Sequence, residues 1–227
     1  KIIDSFITSQ PSRIFERFMN LGSNDLLKHI GVTTYETIVG FLLGTILGII
    51  IAIILWWSDF LAKVLDPYLV VLNSLPKVAL GPVIIIWVGA GTPAIIVMAV
   101  AISLVVTILE NLNGFLRTDK ELIKMARTFK ASKLQILLKI IIPANISTFI
   151  NSLKVNIGLS LVGVISGEFL VSKAGLGYLI VYGGQVFKLD LVMTSVLILG
   201  VLAGVMYAGV LLLEKFILKT KKVQVKK

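Results

Sequence analysis

Long runs of residues without a charged side chain constrain this chain more than any other feature. Thr37 to Ser58 is an uncharged run of 22 residues, Val78 to Leu109 is one of 32, and Leu191 to Leu213 is one of 23. About 20 apolar residues in an α-helix cross the roughly 30 Å hydrocarbon core of a bilayer. Overall, 57% of the 227 residues are hydrophobic and 15% are charged, whereas a soluble domain is about half apolar and about a quarter charged. The sequence therefore predicts an integral membrane protein and excludes a soluble enzyme, a disordered chain and a collagen-like fibre.

The breaks between these runs predict a polytopic bundle of five helical spans, which is an all-α membrane fold. The 32-residue run is too long for one crossing, and its Gly-Ala-Gly-Thr-Pro stretch at 89–93 is the predicted break. Residues 1–32 carry too many charges for a span, so we expect a loop with a short surface helix. A sixth helix upstream of Lys1 is also expected, because it would explain how the chain begins on the external side that the charges assign to residues 1–32. The predicted spans are about 33–57, 67–88, 94–112, 145–169 and 190–213.

The distribution of Lys and Arg predicts which side of the membrane each loop faces. For this order of spans, fourteen of these residues lie on the side of Lys63, the 113–143 loop and the C-terminal tail, and six lie on the opposite side. An excess of Lys and Arg marks cytoplasmic loops. The 113–143 loop and the basic tail at 219–227 are therefore predicted to be cytoplasmic, and residues 1–32 external. The net charge of +10 is interpreted as a topology signal that meets the head groups of the lipid bilayer, and not as a nucleic-acid site.

Several kinds of chemistry are excluded by residues that the sequence lacks. There is no cysteine, which rules out disulfides, thiolate metal sites and a cysteine nucleophile. His29 is the only histidine and has no H-E-x-x-H context, so we expect a hydrogen-bonded or solvent-facing side chain and not a metal ligand or base. No G-x-x-x-x-G-K-S/T motif is present, so the chain is not predicted to bind ATP itself. Neither a catalytic residue nor a metal or cofactor site is therefore predicted.

Glycines recur at helical spacing within three of the predicted spans. Glycines four residues apart let helix backbones approach closely in a bilayer, where no hydrophobic effect drives helices together. We interpret the pattern as packing within the bundle, and the alternative is that one strip forms an interface between subunits. The glycines are Gly40, Gly44 and Gly48, then Gly163 with Gly167, and Gly200 with Gly204.

The loop at 113–143 carries the most information on function. Thr118 and Glu121 are spaced as a capping box that starts a short amphipathic helix. A second helix is predicted from Ser132 to Ile142. An amphipathic helix in a basic loop either lies on the membrane surface or docks into a groove of a soluble partner, and the residues leave both possibilities open. The apolar stripe of the first helix is Leu122, Met125, Ala126 and Phe129.

The same loop resembles that of a known family of transport proteins. It reads Lys124-Met125-Ala126, three residues, Lys130, nine residues, and then Ile140-Ile141-Ile142-Pro143. Permease subunits of binding-protein-dependent ABC importers carry a cytoplasmic EAA loop with the spacing E-A-A, three residues, G, nine residues, I, one residue, L-P. The resemblance covers about residues 25–218. Residues that flank the loop pattern also resemble those of the branch that imports nitrate, sulfonates and taurine. Other matching pieces are Ala126-Arg127-Thr128, Ala131-Ser132, Leu75-Pro76, Gly81-Pro82, Trp87, Gly89, Glu168 and Gly175-Leu176-Gly177-Tyr178.

The resemblance implies a type I ABC importer permease without enzymatic activity of its own, in a bacterial or archaeal cytoplasmic membrane. Two copies, or this chain and a sister subunit, would enclose the pathway, and each would dock an ATPase subunit that binds ATP and Mg²⁺. An external solute-binding protein would deliver the substrate, which is expected to be an oxyanion such as nitrate, a sulfonate or taurine. The residues expected to contact the ATPase are Glu121, Lys124, Met125, Ala126, Arg127, Phe129, Lys130 and Pro143.

Other functions stay open at this point. Relatives of this kind also import bicarbonate, a thiamine-precursor pyrimidine or riboflavin. A secondary transporter or channel that acts without an ATPase is the alternative from another class, and it gives the 113–143 loop no docking role. An intramembrane enzyme would need His29 or a pair of carboxylates in a buried site.

Two positions depart from the family pattern. Lys124 stands where the family has an acidic residue, so the cleft of the partner would need a different charge. Lys130 replaces a glycine that permits a left-handed turn, and a side chain in that backbone geometry costs about 1 kcal/mol. The alternative explanation is that this chain is the divergent half of a heterodimer.

Polar and charged residues within the predicted spans are candidates for the translocation pathway. Ionisable side chains inside a membrane are costly and are often functional. The alternative is that each lysine reaches the interface with its long side chain or pairs with a carboxylate. The predicted pathway residues are Asn73, Lys77, Lys154, Asn156, Ser160 and Glu168.

Overall fold

The computed structural model describes residues 25–225, except for the side chains of Leu218 and of residues 220–225. All regular elements of this part are helical, which confirms the predicted all-α fold. A 3₁₀ turn at Lys77–Leu80 and a π-helical turn at Leu137–Ile141 interrupt the α-helices. In chain order the α-helices are α1 (Leu26–Trp57), α2 (Asp59–Ser74), α3 (Gly81–Val88), α4 (Thr92–Arg117), α5 (Lys120–Thr128), α6 (Lys133–Ile136), α7 (Ile142–Ala144), α8 (Ile146–Val171), α9 (Leu176–Gln185) and α10 (Leu189–Val225).

Four of these helices, α1, α4, α8 and α10, are long and apolar enough to cross a membrane. The bent pair formed by α2 and α3 adds a fifth crossing if the pair is counted as one span. Within residues 25–225 the fold therefore holds four crossings, or five with the bent pair, in agreement with the five predicted spans.

The second span, predicted over about 67–88, begins earlier and consists of two helical segments. Its two halves, α2 and the segment Lys77–Val88, are bent by 89° at a short break. Leu75 at the break has an extended backbone, with φ −67° and ψ 138°, because the residue before a proline is disfavoured in the α conformation. Pro76 and Pro82 also lack the amide hydrogens that would continue a helix. Pro76 and Pro82 therefore account for the break in this span.

The first span begins earlier than predicted. The helix α1 starts at Leu26, so residues 26–32 belong to the helix and not to a loop. Lys28 is exposed in the first turn, where its long side chain can reach water from the end of a span. At the other terminus α10 runs to Val225 and includes much of the predicted basic tail. Residues 1–24 and 226–227 of the predicted terminal segments lie outside the described residues.

The centre of the bundle consists of α1, α4 and α8, which pack closely through glycine. A methyl group on Gly40 would lie 2.7 Å from Cβ of Ala99, and one on Gly48 would lie 2.6 Å from Cβ of Thr107. Larger residues at these positions of α1 would therefore push α4 away. The interpretation of the α1 glycines as packing within the bundle is confirmed.

Candidate functional site

The loop that follows α4 begins with a short helix, α5, whose start is capped by Asp119. The Oδ1 atom of Asp119 accepts a hydrogen bond of 2.8 Å from the Glu121 amide. The predicted cap, Thr118, does not perform this role. Its hydroxyl donates to the Gly114 carbonyl oxygen at 3.4 Å and accepts a 2.8 Å bond from the Asn145 side chain. The prediction was wrong because an aspartate, which is among the strongest N-caps, stands one residue later and the threonine hydroxyl is already engaged.

The apolar side chains of α5 divide between two faces. Phe129 is 79% exposed, Met125 is 54% exposed and Leu122 is 44% exposed. Ile123 and Ala126 lie on the opposite face and pack against the buried core of the bundle. Ala126 therefore packs α5 against the bundle, which corrects the prediction that it shares a face with Leu122, Met125 and Phe129. We call Leu122, Met125 and Phe129 the exposed stripe.

A left-handed turn at Lys130, with φ 57°, ends the α5 segment. The Lys130 amide donates to the Arg127 carbonyl oxygen at 2.9 Å, and the Ala131 amide donates to the Ala126 carbonyl oxygen at 3.0 Å. Such a pair of bonds closes a helix around a left-handed residue, which is most often glycine. The left-handed conformation expected at this position is confirmed. A lysine in this conformation destabilises the turn by about 1 kcal/mol relative to glycine.

The second half of the hairpin departs from the predicted single helix over 132–142. Ser132 caps α6 in a capping box, in which its amide donates to Oε1 of Gln135 at 2.8 Å and its Oγ accepts from the Gln135 amide at 3.2 Å. A π-helical turn then leads into the three-residue α7, which contains Pro143. The helix is interrupted because proline removes one amide from the hydrogen-bond ladder. The Asn145 side chain closes the turn by donating to the Ile141 carbonyl oxygen at 2.8 Å.

Lys133 joins the hairpin to the end of the first span. Its Nζ donates a 2.6 Å hydrogen bond to the Trp57 carbonyl oxygen and lies 5.8 Å from the ring centroids of Trp56 and Trp57. A cation is favourable there because the last carbonyl groups of a helix carry partial negative charge and because aromatic faces attract cations. This contact was not predicted from the sequence, since Lys133 and Trp57 are 76 positions apart. The available signal was the pair of tryptophans at the end of an apolar run.

At the opposite end of α1, two of its side chains hold the start of α9. His29 accepts a 2.8 Å hydrogen bond at Nδ1 from the Gly175 amide. Thr33 accepts one of 2.8 Å at Oγ1 from the Leu176 amide. Both amides lie at the start of a helix, where backbone donors have no partner within the helix. His29 is therefore hydrogen-bonded, as predicted, although it lies on a helix and not in a loop.

Glu168 of α8 completes this contact. One oxygen of its carboxyl group accepts from the Gly177 amide, and the other accepts from the Thr33 hydroxyl at 2.6 Å. Glycine is needed at 175 because its φ is 118° and because a Cβ there would overlap the Glu168 carboxyl group. We call His29, Thr33, Glu168 and the 175–177 backbone the α9 joint.

Besides Glu168, two of the predicted pathway residues lie inside the bundle. Asn156 is 1% exposed, and its side chain donates to the hydroxyl groups of Thr45 at 2.8 Å and Thr107 at 2.6 Å. Ser160 is also buried, and no described residue bonds to its hydroxyl. Asn156 therefore ties α8 to α1 and α4 within one chain. For both residues, a role along the pathway stays a prediction.

The two lysines within the predicted spans each have a close partner. Lys154 forms a 2.8 Å ion pair with Glu214 of α10. Lys77 donates to the Asn73 carbonyl oxygen at 3.1 Å, across the bend that follows α2. Lys154 thus pairs with a carboxylate, as the alternative interpretation expected. Lys77 bonds to a backbone oxygen in a stretch that the chain leaves exposed.

Comparison with known proteins decides the family. Residues 44–221 match the family described as the binding-protein-dependent transport system inner membrane component. The chain belongs to this family. It is therefore a multi-pass permease subunit of an ABC importer in the cytoplasmic membrane. A probable ABC transporter permease protein of Haemophilus influenzae is 33% identical to it over 193 residues, which are 85% of this chain and 79% of that protein.

Two further relatives of the permease are named for the compounds that they transport. An aliphatic sulfonates transport permease protein of Bacillus subtilis is 27% identical over 219 residues, which are 96% of this chain and 79% of that protein. A formylaminopyrimidine transport permease protein of Halalkalibacterium halodurans is 23% identical over 219 residues, which are 96% of this chain and 88% of that protein.

The permease also shares its fold with a solved structure, an inward-facing conformation of the MetNI methionine ABC transporter. The TM-score is 0.73 at 18% sequence identity, and the match covers 82% of this chain and 92% of that chain. At this identity the likeness concerns the fold. The ABC importer permease fold implied by the sequence is thereby confirmed.

In this permease, most of the residues expected to contact an ATPase lie together on the hairpin. Lys124, Arg127 and Lys130 are exposed around the exposed stripe, and Glu121 is exposed in the first turn of α5. Pro143 lies instead in α7, at the entry to α8. The expected contacts of these residues stay predictions, and Lys133 and the α9 joint are the sites that sequence reasoning did not identify.

Proposed function

We propose that the permease binds an ABC ATPase through the exposed stripe of α5 and converts its movements into opening of a transport pathway. The observation that carries the proposal is that a capped hairpin leaves Leu122, Met125 and Phe129 uncovered. Apolar side chains in a row on a short helix are typical of a helix that fits a groove of a partner. In this proposal ATP and Mg²⁺ bind to the partner, and the permease itself supplies no nucleotide site.

Charged side chains around the stripe indicate the chemistry of the partner's cleft. Lys124, Arg127 and Lys130 are exposed, and none of them forms an ion pair with a described residue. A cleft that receives them is expected to carry acidic residues at its rim, because complementary charges favour docking and specify partners. An ATPase that normally meets the family's acidic residue at the position of Lys124 is therefore expected to bind this permease less well.

The attachment of the hairpin supports a role in transmitting movement. Ile123 and Ala126 pack against the core that includes the end of α1, and Lys133 binds the last carbonyl group of that helix. A displacement of the exposed stripe therefore acts on α1 through direct contacts. A bundle with two arrangements can be shifted between them by a partner that binds one arrangement better.

A second permease copy, or a sister subunit, is proposed to cover surfaces that one chain leaves open. Ile86 and Trp87 of α3 are each 80% exposed. A Cβ on Gly200 or Gly204 of α10 would meet no described atom outside its own helix within 4 Å. The lipid bilayer covers the remaining apolar surface of the spans. The bend beside α3, with Asn73 and Lys77, is proposed to line the pathway between the subunits.

We propose a sulfonate or taurine-like anion as the substrate, delivered by an external solute-binding protein. The similarity to the aliphatic sulfonates permease supports this class of compound. Lys77 has one backbone acceptor at 3.1 Å, so its ammonium group retains further donors for an anion. The formylaminopyrimidine relative makes that compound the competing substrate.

Purification of the permease from its native membrane in mild detergent tests the docking proposal. Mass spectrometry is expected to identify an ABC ATPase with the wild-type chain and to find it lost with Phe129→Asp, because a charge on the stripe opposes burial in an apolar groove. Phe187→Asp is the matched control, since Phe187 is 73% exposed and lies beyond α9. A folded Phe129→Asp chain that retains its ATPase would contradict the proposal.

The substrate proposal needs a separate measurement. A solute-binding protein that purifies with the complex can be titrated with taurine, an alkanesulfonate and a formylaminopyrimidine in a calorimeter. We expect heat of binding from the first two compounds only. Binding of the pyrimidine alone would replace the proposed substrate without affecting the docking proposal.

A further inference from the structure

A second carboxyl group lies beside the α9 joint. Glu36 and Glu168 are each 1% exposed. Glu36 lies one turn after Thr33 on α1, and the Thr33 hydroxyl bonds to Glu168 at 2.6 Å; because residues three apart share a helix face, the two carboxyl groups are neighbours. The Thr92 hydroxyl at the start of α4 is nearby, but neither oxygen of Glu36 accepts a hydrogen bond from a described residue. A buried carboxyl group without a donor is unusual because burial of an unpartnered polar group is costly.

The hydrogen bonds distinguish the two carboxyl groups. Glu168 has one donor for each oxygen, the Thr33 hydroxyl and the Gly177 amide. Its surroundings therefore suit an ionised carboxylate, which only accepts hydrogen bonds. Glu36 has no such donors and faces this carboxylate. A neutral Glu36 resolves the mismatch, because a carboxylic acid can donate its own O–H to Glu168.

No positive charge compensates the two glutamates. Neither of them forms an ion pair within residues 25–225. His29 on α1 accepts a hydrogen bond at Nδ1 and stacks on Tyr178 of α9, so its ring is not the doubly protonated cation. Lys173, in the loop before α9, is exposed, and α4 contributes the uncharged Thr92. Two adjacent buried carboxylates repel each other, and one proton removes that repulsion.

We propose that Glu36 and Glu168 form a proton-binding site that holds the α9 joint closed. The proton resides on Glu36 and is donated to Glu168 in a hydrogen bond, so that the pair carries one negative charge. When the joint opens and water reaches the pair, the O–H bond of Glu36 breaks, the proton passes to water, and both groups become carboxylates. Closure of the joint takes up one proton, and a rise in pH therefore favours the open joint.

The proton site acts at the end of the bundle that lies away from the hairpin. The helix α9 packs against α10 through Leu179 and Leu191, so opening of the joint also frees the start of the last span. A transport cycle that opens this end would then release a proton. That consequence rests on the proposed function, whereas proton binding by the pair does not.

Infrared spectroscopy of the full chain in lipid nanodiscs tests for the proton directly. The C=O stretch of a carboxylic acid is separate from the carboxylate bands and shifts in ²H₂O. We expect this band in the wild-type spectrum and its loss in Glu36→Gln. Glu214→Gln is the control that should retain it, because Glu214 forms an ion pair with Lys154. A wild-type spectrum without a carboxylic-acid band that depends on Glu36 would overturn the proposal.

Distance measurements test whether the proton controls the joint. Because the chain has no cysteine, spin labels can be attached at Leu27→Cys and Val186→Cys, two exposed positions on α1 and at the end of α9. We expect a short, narrow distance distribution at low pH and a longer, broader one at high pH. In a Glu36→Gln background, the amide donates without titrating, so the short distance should persist at both pH values.

Two results would overturn the link between the proton and the joint. One is a labelled distance that does not change with pH when Glu36 is present. The other is an unchanged pH response in the Glu36→Gln background. Both measurements use the permease without an ATPase, so they are independent of whether an ATPase docks on the hairpin.

Discussion

Thr33 is the residue of the α9 joint that one conservative substitution can test. It is buried, its hydroxyl donates to Glu168 at 2.6 Å, and it accepts from the Leu176 amide at 2.8 Å. Thr33→Val nearly preserves the shape of the side chain and removes both hydrogen bonds. Because no large cavity accompanies the change, the loss of stability reports on the two bonds.

The expected loss of stability is estimated from the two groups that lose their hydrogen bond to Thr33, the Glu168 carboxyl group and the Leu176 amide. A hydrogen bond to a charged group contributes about 2 kcal/mol, and a buried amide without an acceptor costs about 2 kcal/mol. Burial of the additional methyl group of valine offsets about 1 kcal/mol of this loss of stability. The closed joint is therefore expected to lose about 3 kcal/mol, which is about a hundredfold in its equilibrium with the open form.

Hydrogen–deuterium exchange of the backbone amides in the first turn of α9 measures this local opening. Thr37→Val is the matched control, because Thr37 lies one turn further along α1, is equally buried, and has no partner for its hydroxyl among the described residues. We expect exchange to accelerate about a hundredfold in Thr33→Val and to stay unchanged in Thr37→Val. Exchange at the wild-type rate in Thr33→Val, or equal acceleration in both variants, would show that the two hydrogen bonds of Thr33 do not hold the joint closed.

Three other substitutions test contacts of the hairpin and the bundle. Lys130→Gly is expected to stabilise the protein by about 1 kcal/mol in denaturant unfolding, because φ at this position is 57°; a destabilised variant would contradict the assigned turn. Lys133→Met is expected to leave the ATPase bound but to lower ATP-driven transport in proteoliposomes, whereas Lys139→Met, at another exposed lysine of the hairpin, should not; equal transport by the two variants would remove the role of the Lys133 contact. Gly48→Leu is expected to lower the thermal unfolding temperature in detergent, since a Cβ there would lie 2.6 Å from a side chain of α4, whereas a Cβ at Gly158 of α8 meets no described atom within 4 Å outside its own helix, so Gly158→Leu is the control; similar unfolding temperatures for the two variants would contradict the packing of α1 on α4.

The spans and the hairpin could be predicted because each depends on local properties of the chain. The thickness of the bilayer sets the length of an apolar helix, so uncharged runs located α1, α4 and α10 and placed the end of α1 and the starts of α4 and α10 within two residues. The left-handed turn at Lys130 could be expected because the resemblance places a glycine there. The start of α1 was placed too late, since Lys28 and His29 were interpreted as loop residues although a helix end can carry them.

The 89° angle of the bend after α2 and the α9 joint were not predicted because they depend on more than local sequence. Pro76 was visible, but proline in a membrane helix is compatible with a kink as well as with a break. Thr33 and Glu168 are 135 positions apart, and no periodic pattern pairs them. The contact between Lys133 and Trp57 was not predicted for the same reason.

The bend between α2 and α3 also bears on how the complex is made. The ends of helices within a bilayer present peptide groups that lipid cannot hydrogen-bond, and residues 73–76 are exposed on the surface of the single chain. A newly inserted chain therefore keeps a poorly solvated patch until another subunit or a water-filled space meets it. We expect membrane proteases to recognise this patch on orphan chains, so that the amount of mature permease follows the supply of its partners and not the rate of its own synthesis.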